Sequence, residues 1–324
     1  MRLRAKQRIL ARVQEQRTYA IVGAGALGVF YGARLQRAGC EVHFLVRSDY
    51  EHVREHGWEV ESKDGDFRLP QIRAYRDPRE MPQCDVVLVA LKATQNHLLP
   101  HLLPPLLKAH SVVVMMQNGL GAEGAAAAVA GPRTVLGGLC FICSKKTGPG
   151  HIQHLDYGYV RFGEYAFDGR PRGITEALRG IGEDFQRAGI LVSLSEDLVL
   201  ARWQKLIWNV PYNGLSVILN ANTAELMAQT ETRQLVEAIM REVAADAAAL
   251  GRSVSESFIQ KMLADTAKMT PYHASMKIDF DARRPMEVEA IYGNPLCAAQ
   301  RAGAASPLLE TLYRQLKFLD ERNR

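Results

Sequence analysis

Tyr-Ala-Ile-Val-Gly-Ala-Gly-Ala-Leu-Gly, residues 19–28, is the stretch whose reading decides the fold of this chain. Tyr19 to Val22 is a short β-prone run, and a helical stretch follows the glycines and ends near Ala38 and Gly39. Glu41 to Val46 then reads as a second strand. A G-x-G-x-x-G alone is weak, but between a strand and a helix, in a unit of about 30 residues, it points to a dinucleotide-binding turn. Gly23 permits the tight turn, Gly25 lets backbone approach a pyrophosphate, and Gly28 lets helix and strand pack closely. With Ala24, Ala26 and Leu27 they form the expected cofactor loop, whose helix start offers unpaired N–H groups to phosphate. A glycine-rich turn without a ligand is the plainer alternative.

Cofactor choice is read at the end of the second strand, where a carboxylate would bind a ribose 2′-hydroxyl and an arginine a 2′-phosphate. Arg47 stands there and favours NADPH, while Asp49, two residues on, is the competing observation. Further along, Asp85 to Leu91 and Val112 to Met116 are nearly continuous apolar runs, as parallel strands covered on both faces should be. Lys92 and Gln95 follow the first, and Gln117, Asn118 and Gly119 the second. In a doubly wound sheet these ends face the ligand crevice, so Lys92, Gln95 and Asn118 are candidate cofactor contacts, although each could be a plain turn former.

The chain has 324 residues and 47% apolar content, enough for two cores. Six of its 40 basic residues and one of its 35 acidic residues fall in the first 17 positions, so the body balances at 34 of each. A basic tail on a neutral body argues against nucleic acid as the main partner. The tail could resemble a transit peptide, but reads better as an extension ahead of the first strand. No apolar run approaches a bilayer span, so a cytoplasmic protein with no membrane partner is expected. Five cysteines scattered through apolar segments suit reduced, packed thiols. Cys140 and Cys143 form a C-x-x-C, but no second pair or histidine cluster completes a zinc site, and no metal is expected.

From about Glu196 helical patterns take over: Asp197 to Asn209, Ala224 to Leu250 with Gly251 as a stop, Glu256 to Lys268, Met286 to Arg301 and Leu308 to Asp320. The expected organisation is a basic tail (1–17), an N-terminal Rossmann doubly wound α/β domain (18–195) and an all-helical C-terminal domain (196–324), with the catalytic cleft between the last two. Within the first helix, Lys205, Asn209 and Asn213 recur every four residues among Trp203, Leu206, Ile207 and Trp208. That is a polar stripe on an apolar helix. A lysine there either snorkels to water or has a partner or substrate for its charge. Glu287 and Glu289 lie about 200° apart around a helix, so only one can face the cleft.

These residues resemble the ketopantoate reductase family, the NADPH-dependent 2-dehydropantoate 2-reductases. Carrying the resemblance are GAGALG at Gly23 to Gly28, Arg47, KATQ at Lys92 to Gln95, QNGLG at Gln117 to Gly121, WQKLIWN at Trp203 to Asn209, ASMKID at Ala274 to Asp279 and MEVEAIYG at Met286 to Gly293. It covers nearly the whole chain after the tail. It implies that Lys205 is the catalytic acid, with Glu287 as the second catalytic residue, and that Asn118, Asn209, Asn213 and Ser275 line the substrate site. Asp279, one turn from Ser275, is expected to support that helix, and His273 to be a surface or packing residue. The implied reaction reduces a branched 2-oxo acid, 2-dehydropantoate, to pantoate in the route to pantothenate. Alternatives are a related NADP-dependent 2-oxo or hydroxy acid dehydrogenase and a non-catalytic NADPH-binding regulator. The expected partner is the small-molecule substrate, with a homodimer left open. The chain departs from the family pattern at Gly214, at Tyr272 and at Pro295, which falls inside an expected helix.

Overall fold

The computed structural model describes residues 17–323, so the expected basic tail lies outside the described residues apart from Arg17, whose guanidinium bonds Asp184 at 2.9 Å. Strand β1 (Thr18–Val22), helix α1 (Ala26–Arg37) and strand β2 (Glu41–Leu45) form the expected unit, with β1 and β2 parallel. Gly23 makes the turn at φ +104°, and a Cβ there would lie 2.7 Å from the Leu91 nitrogen. A Cβ at Gly28 would lie 2.1 Å from the Gly23 carbonyl oxygen, so strand and helix can approach this closely only with glycine at both positions.

Helix α2 (Tyr50–His56) and strands β3 (Trp58–Ser62), β4 (Phe67–Leu69) and β5 (Arg73–Tyr75) follow. Next come β6 (Cys84–Val89), β7 (Leu107–Met115), α3 (Ala122–Ala130), β8 (Val135–Gly148), β9 (His151–Glu164), α4 (Glu176–Arg187) and β10 (Val192–Ser195). Among the described residues ten strands make one mixed sheet in the order β4-β3-β9-β8-β7-β6-β1-β2-β5, with β10 also on β9. From β5 to β8 neighbouring strands are parallel, and β8 then turns back antiparallel into β9. Glycines and charges interrupt the apolar alternation along this long hairpin. Tertiary contact explains the glycines: a Cβ at Gly137 would lie 2.4 Å from Glu123 and one at Gly138 2.3 Å from Met116. Apolar clusters cover both sheet faces, and a third fills the helical half.

That half holds α5 (Leu198–Ile218), α6 (Thr223–Ala228), α7 (Thr230–Ala249), α8 (Glu256–Lys268), α9 (Ser275–Asp281), a π turn at Glu289–Gly293, α10 (Asn294–Arg301) and α11 (Pro307–Arg322). Three expected spans are corrected. α5 runs past Asn209, through Pro211, to Ile218, because its far end is buried in the helical core. The expected helix from Ala224 to Leu250 is two, divided at Gln229, where the backbone is extended (φ −94°, ψ 134°). The span from Met286 is not one regular helix. A π turn stands just ahead of Pro295, where a regular helix would call for an N–H that proline lacks. Gly214 and Tyr292 are coupled: the Tyr292 hydroxyl donates to the Val210 carbonyl at 2.9 Å, and a Cβ at Gly214 would sit 2.9 Å from that hydroxyl.

Two acids of α7 receive the start of α11. Glu242 accepts from the Leu308 and Leu309 nitrogens at 3.1 and 2.7 Å, and Asp246 accepts from the Ser306 hydroxyl at 2.7 Å. Burial pushes the Asp246 carboxyl up to about 6, with Ser306 opposing and Glu242 reinforcing the shift. A carboxyl whose folded pKa is raised stabilises the fold below its unfolded pKa, and the contribution is lost as pH rises through about 6. Urea midpoints should therefore fall between pH 4 and pH 7 by an amount that Asp246→Asn removes; an unchanged pH slope in that variant would refute the assignment.

Candidate active site

Asp197 caps α5, its carboxylate accepting from the Leu200 nitrogen at 3.0 Å. Lys205, Asn209 and Asn213 share one face of α5 and are 7%, 5% and 2% exposed. The Lys205 ammonium donates to the Cys140 carbonyl on β8 and lies 4.8 Å from the centre of the Phe141 ring. Burial lowers the Lys205 pKa to about 8; Glu287 opposes the shift and Arg202 adds to it. The Asn209 amide nitrogen is buried with no partner among the described residues. Burying a donor unpaired costs about 1–3 kcal/mol, which an acceptor from outside the chain would offset. Asn213 is differently occupied: its amide oxygen accepts from the Met276 nitrogen at 3.0 Å and the Ser275 hydroxyl at 3.3 Å. It thereby fixes the first turn of α9.

Glu287, 2% exposed, sits just before the π turn and accepts from the Ala93 nitrogen at 2.8 Å. Its other oxygen is 3.9 Å from the Lys92 ammonium, which bonds Asp279 at 2.6 Å. Arg284 holds the second oxygen of Asp279 at 3.0 Å. Burial works against the Lys92 charge, but Glu287 and Asp279 outweigh it and raise its pKa. Lys92 thus ties the segment after β6 to α9, and Asp279, held by Lys92 and Arg284, lies on the helix that carries Ser275. Glu289 takes the surface role, pairing with Lys317 at 2.9 Å, and His273 is exposed. Asn118 is half-buried in a loop seated on the π turn: the Leu120 nitrogen donates to the Ala290 carbonyl at 2.8 Å. Next to it, Gly119 leaves no room for a side chain, since a Cβ would come 2.1 Å from that oxygen.

Arg202 and Glu123 were not singled out from the sequence. The Arg202 guanidinium, 3% exposed, bonds Glu123 on α3 at 2.9 Å through its Nε and reaches the Gln117 and Met115 carbonyls. Three residues before Lys205, it fastens α5 to the sheet. The one available signal was a second cation on the apolar helix; its partner, just ahead of an alanine run, gave none.

At the nucleotide end, a Cβ on Gly25 would meet nothing within 4 Å, unlike those on Gly23 and Gly28. The glycine meant for ligand approach therefore faces open space. Gly25 is also the cap of α1 and offers no side-chain acceptor to the first-turn N–H groups. Arg47 is exposed, and no described carboxylate pairs with it. Asp49, its rival, is 6% exposed and already accepts from Lys146, the Gly150 nitrogen at 3.1 Å and the Ser48 hydroxyl at 2.9 Å. These partners hold its carboxyl below the usual range although burial opposes them. Gln95 is half-buried in the short helix after Lys92. The residues present fit a dinucleotide. Among the described residues no helix is long and apolar enough to cross a membrane.

Two family models match the chain, "Ketopantoate reductase PanE/ApbA" over residues 19–166 and "Ketopantoate reductase PanE/ApbA C terminal" over residues 197–320. The 2-dehydropantoate 2-reductase of Nostoc sp. is 59% identical over 309 residues, covering 95% of this chain and 97% of that protein. Among solved structures, the 2-dehydropantoate 2-reductase of Geobacter metallireducens superposes with a TM-score of 0.88 at 40% identity, covering 95% of this chain and all (100%) of that one. The Methylococcus capsulatus enzyme of the same name gives 0.85 at 35% identity, covering 94% and 97%.

Proposed function

This chain belongs to the ketopantoate reductase family, and from that premise we propose that it catalyses the NADPH-dependent reduction of 2-dehydropantoate to pantoate. The observation that carries the reading is the buried stripe of Lys205 and Asn209 facing the sheet at the seam where Glu287 also lies. When bound, the reduced nicotinamide supplies a hydride. Lys205 donates a hydrogen bond to the ketone oxygen as negative charge grows there, and then a proton, so it combines acid and oxyanion roles. A pKa near 8 suits this task, since the amine is charged at neutral pH yet a better acid than an ordinary lysine. Glu287 accepts from the substrate hydroxyl and favours the charged form of Lys205. The unpaired Asn209 amide donates to the substrate, and Asn118 and Ser275, whose hydroxyl donates to Asn213, complete the pocket around the ketone that Lys205 binds.

Gly23 to Gly28 receive the pyrophosphate at the start of α1, and Lys92, Gln95 and Asn118 border the nicotinamide side. Arg47 pairs with the 2′-phosphate, a reading supported by its exposed guanidinium and by the committed carboxylate of Asp49. NADPH oxidation followed with 2-dehydropantoate and with a panel of other 2-oxo acids tests the substrate. A higher kcat/KM for another acid, or tight NADPH binding with no turnover at all, overturns the assignment. Arg47→Ala should raise the KM for NADPH about 10- to 100-fold, the worth of a charge-assisted pair, and leave that for NADH nearly unchanged. Equal weakening of both cofactors would remove Arg47 from the phosphate site.

A further inference from the structure

We propose that Phe141 is a positioning residue for this reaction, its ring face and the neighbouring Cys140 carbonyl together holding the Lys205 ammonium at the cleft. The inference rests on Lys205 acting as the acid, but concerns a residue to which that reading gives no part. The Lys205 nitrogen lies over the Phe141 ring, 4.8 Å from its centre. The ring is half-buried, packs with Leu139, Leu198 and Ala201, and stacks on Tyr159 at 4.3 Å with only 7° between planes. Both cushions of the ammonium, the carbonyl of residue 140 and the ring of residue 141, therefore come from consecutive positions of β8.

The β8–β9 ladder slips between Phe141 and Ile142, where Phe141 pairs with Tyr159 and Ile142 with Tyr157, skipping Gly158. Tyr157 and Gly158 take φ of 59° and 114° there. Bulges of this kind re-aim side chains beside active sites. An aromatic face stabilises a desolvated cation without competing for its proton, unlike a carboxylate. The other groups acting on the ammonium are the Cys140 thiol on β8, Arg202 on the same helix and Glu287 ahead of the π turn, with the Tyr159 phenol beyond Phe141. Burial pushes the Cys140 thiol up to about 11, which keeps it neutral, and Arg202 is matched by Glu123. The ring is thus a neutral counterpart to Glu287.

Phe141→Leu keeps the apolar bulk and removes the ring. Titration of Lys205 by NMR in lysine-labelled protein, with its signal identified by loss in Lys205→Arg, should move down by about 0.5–1 pH unit in Phe141→Leu. The alkaline limb of kcat/KM should follow it, because losing the ring disfavours the charged amine. Phe141→Tyr should restore both, and Tyr159→Leu, which leaves Phe141 in place but unstacked, should give a smaller shift in the same direction. A purely structural role for Phe141 predicts lower stability with no movement of either midpoint. A Lys205 midpoint unmoved in Phe141→Leu, or moved equally in Phe141→Tyr, overturns the proposal and leaves the acid role of Lys205 standing. A midpoint that moves while the kinetic limb stays supports the ring contact and removes Lys205 as the acid.

Discussion

Lys205→Ala is expected to lower kcat by about 10³-fold or more while the affinity for NADPH changes less than about twofold. General acid catalysis accounts for about 10²–10⁴ in rate, and one lost oxyanion donor for about 10²–10³; in the proposed mechanism a single ammonium holds both offices. In the proposed reading the phosphates are held by Gly23 to Gly28 and Arg47, which follow β1 and β2, so cofactor binding has no reason to follow. Fluorescence titration with NADPH and single-turnover reduction separate the two quantities. Equal loss in both would mean that Lys205 holds the cofactor or the fold, not the reacting ketone. Lys205→Met provides the stability control, because removing a desolvated charge in favour of an apolar side chain of similar length should leave the melting temperature near or above that of the parent. In the unmodified enzyme the rate should fall as pH rises through about 8, the point at which Lys205 surrenders its proton.

Arg202→Met should have the second large effect, a loss of about 3–5 kcal/mol in unfolding free energy. The substitution leaves the Glu123 carboxylate buried without its cation and strips the Gln117 and Met115 carbonyls of a donor. Because Arg202 also fastens the helix that carries Lys205, kcat should fall together with stability even at temperatures where the variant is folded. Urea unfolding gives the first quantity and turnover at low temperature the second. Replacing both partners, as Arg202→Met with Glu123→Leu, should recover much of the stability, since a buried pair exchanged for apolar groups is near neutral whereas a half-broken pair is not. If the double variant is no more stable than Arg202→Met alone, the two charges are not acting on one another.

Much of the molecule was legible before its structure. The glycine spacing at Gly23, Gly25 and Gly28 reports a local steric demand, and the structure meets it at each place: two positions are closed to a Cβ and the third stands open. The four-residue spacing of Lys205, Asn209 and Asn213 is likewise a property of one helix, and α5 presents all three on one buried face. Other features were beyond reach. The β8–β9 hairpin is stabilised by contacts between strands, and its interior glycines make room for Glu123 and Met116 rather than announce a strand. Lys92 was assigned by its place at a strand end, yet its partner Asp279 lies 187 residues away.

Periodicity and glycine placement act within a few residues of backbone, so the sequence by itself determined the dinucleotide turn, the parallel strands around it and the helix that bears the polar stripe. Which carboxylate meets which cation depends on how two halves of the chain are set together. Burial then decides what each charge is worth. Only the tertiary structure could therefore assign Arg202 to Glu123, Asp49 to Lys146, and the Lys205 ammonium to the Cys140 carbonyl and the Phe141 ring.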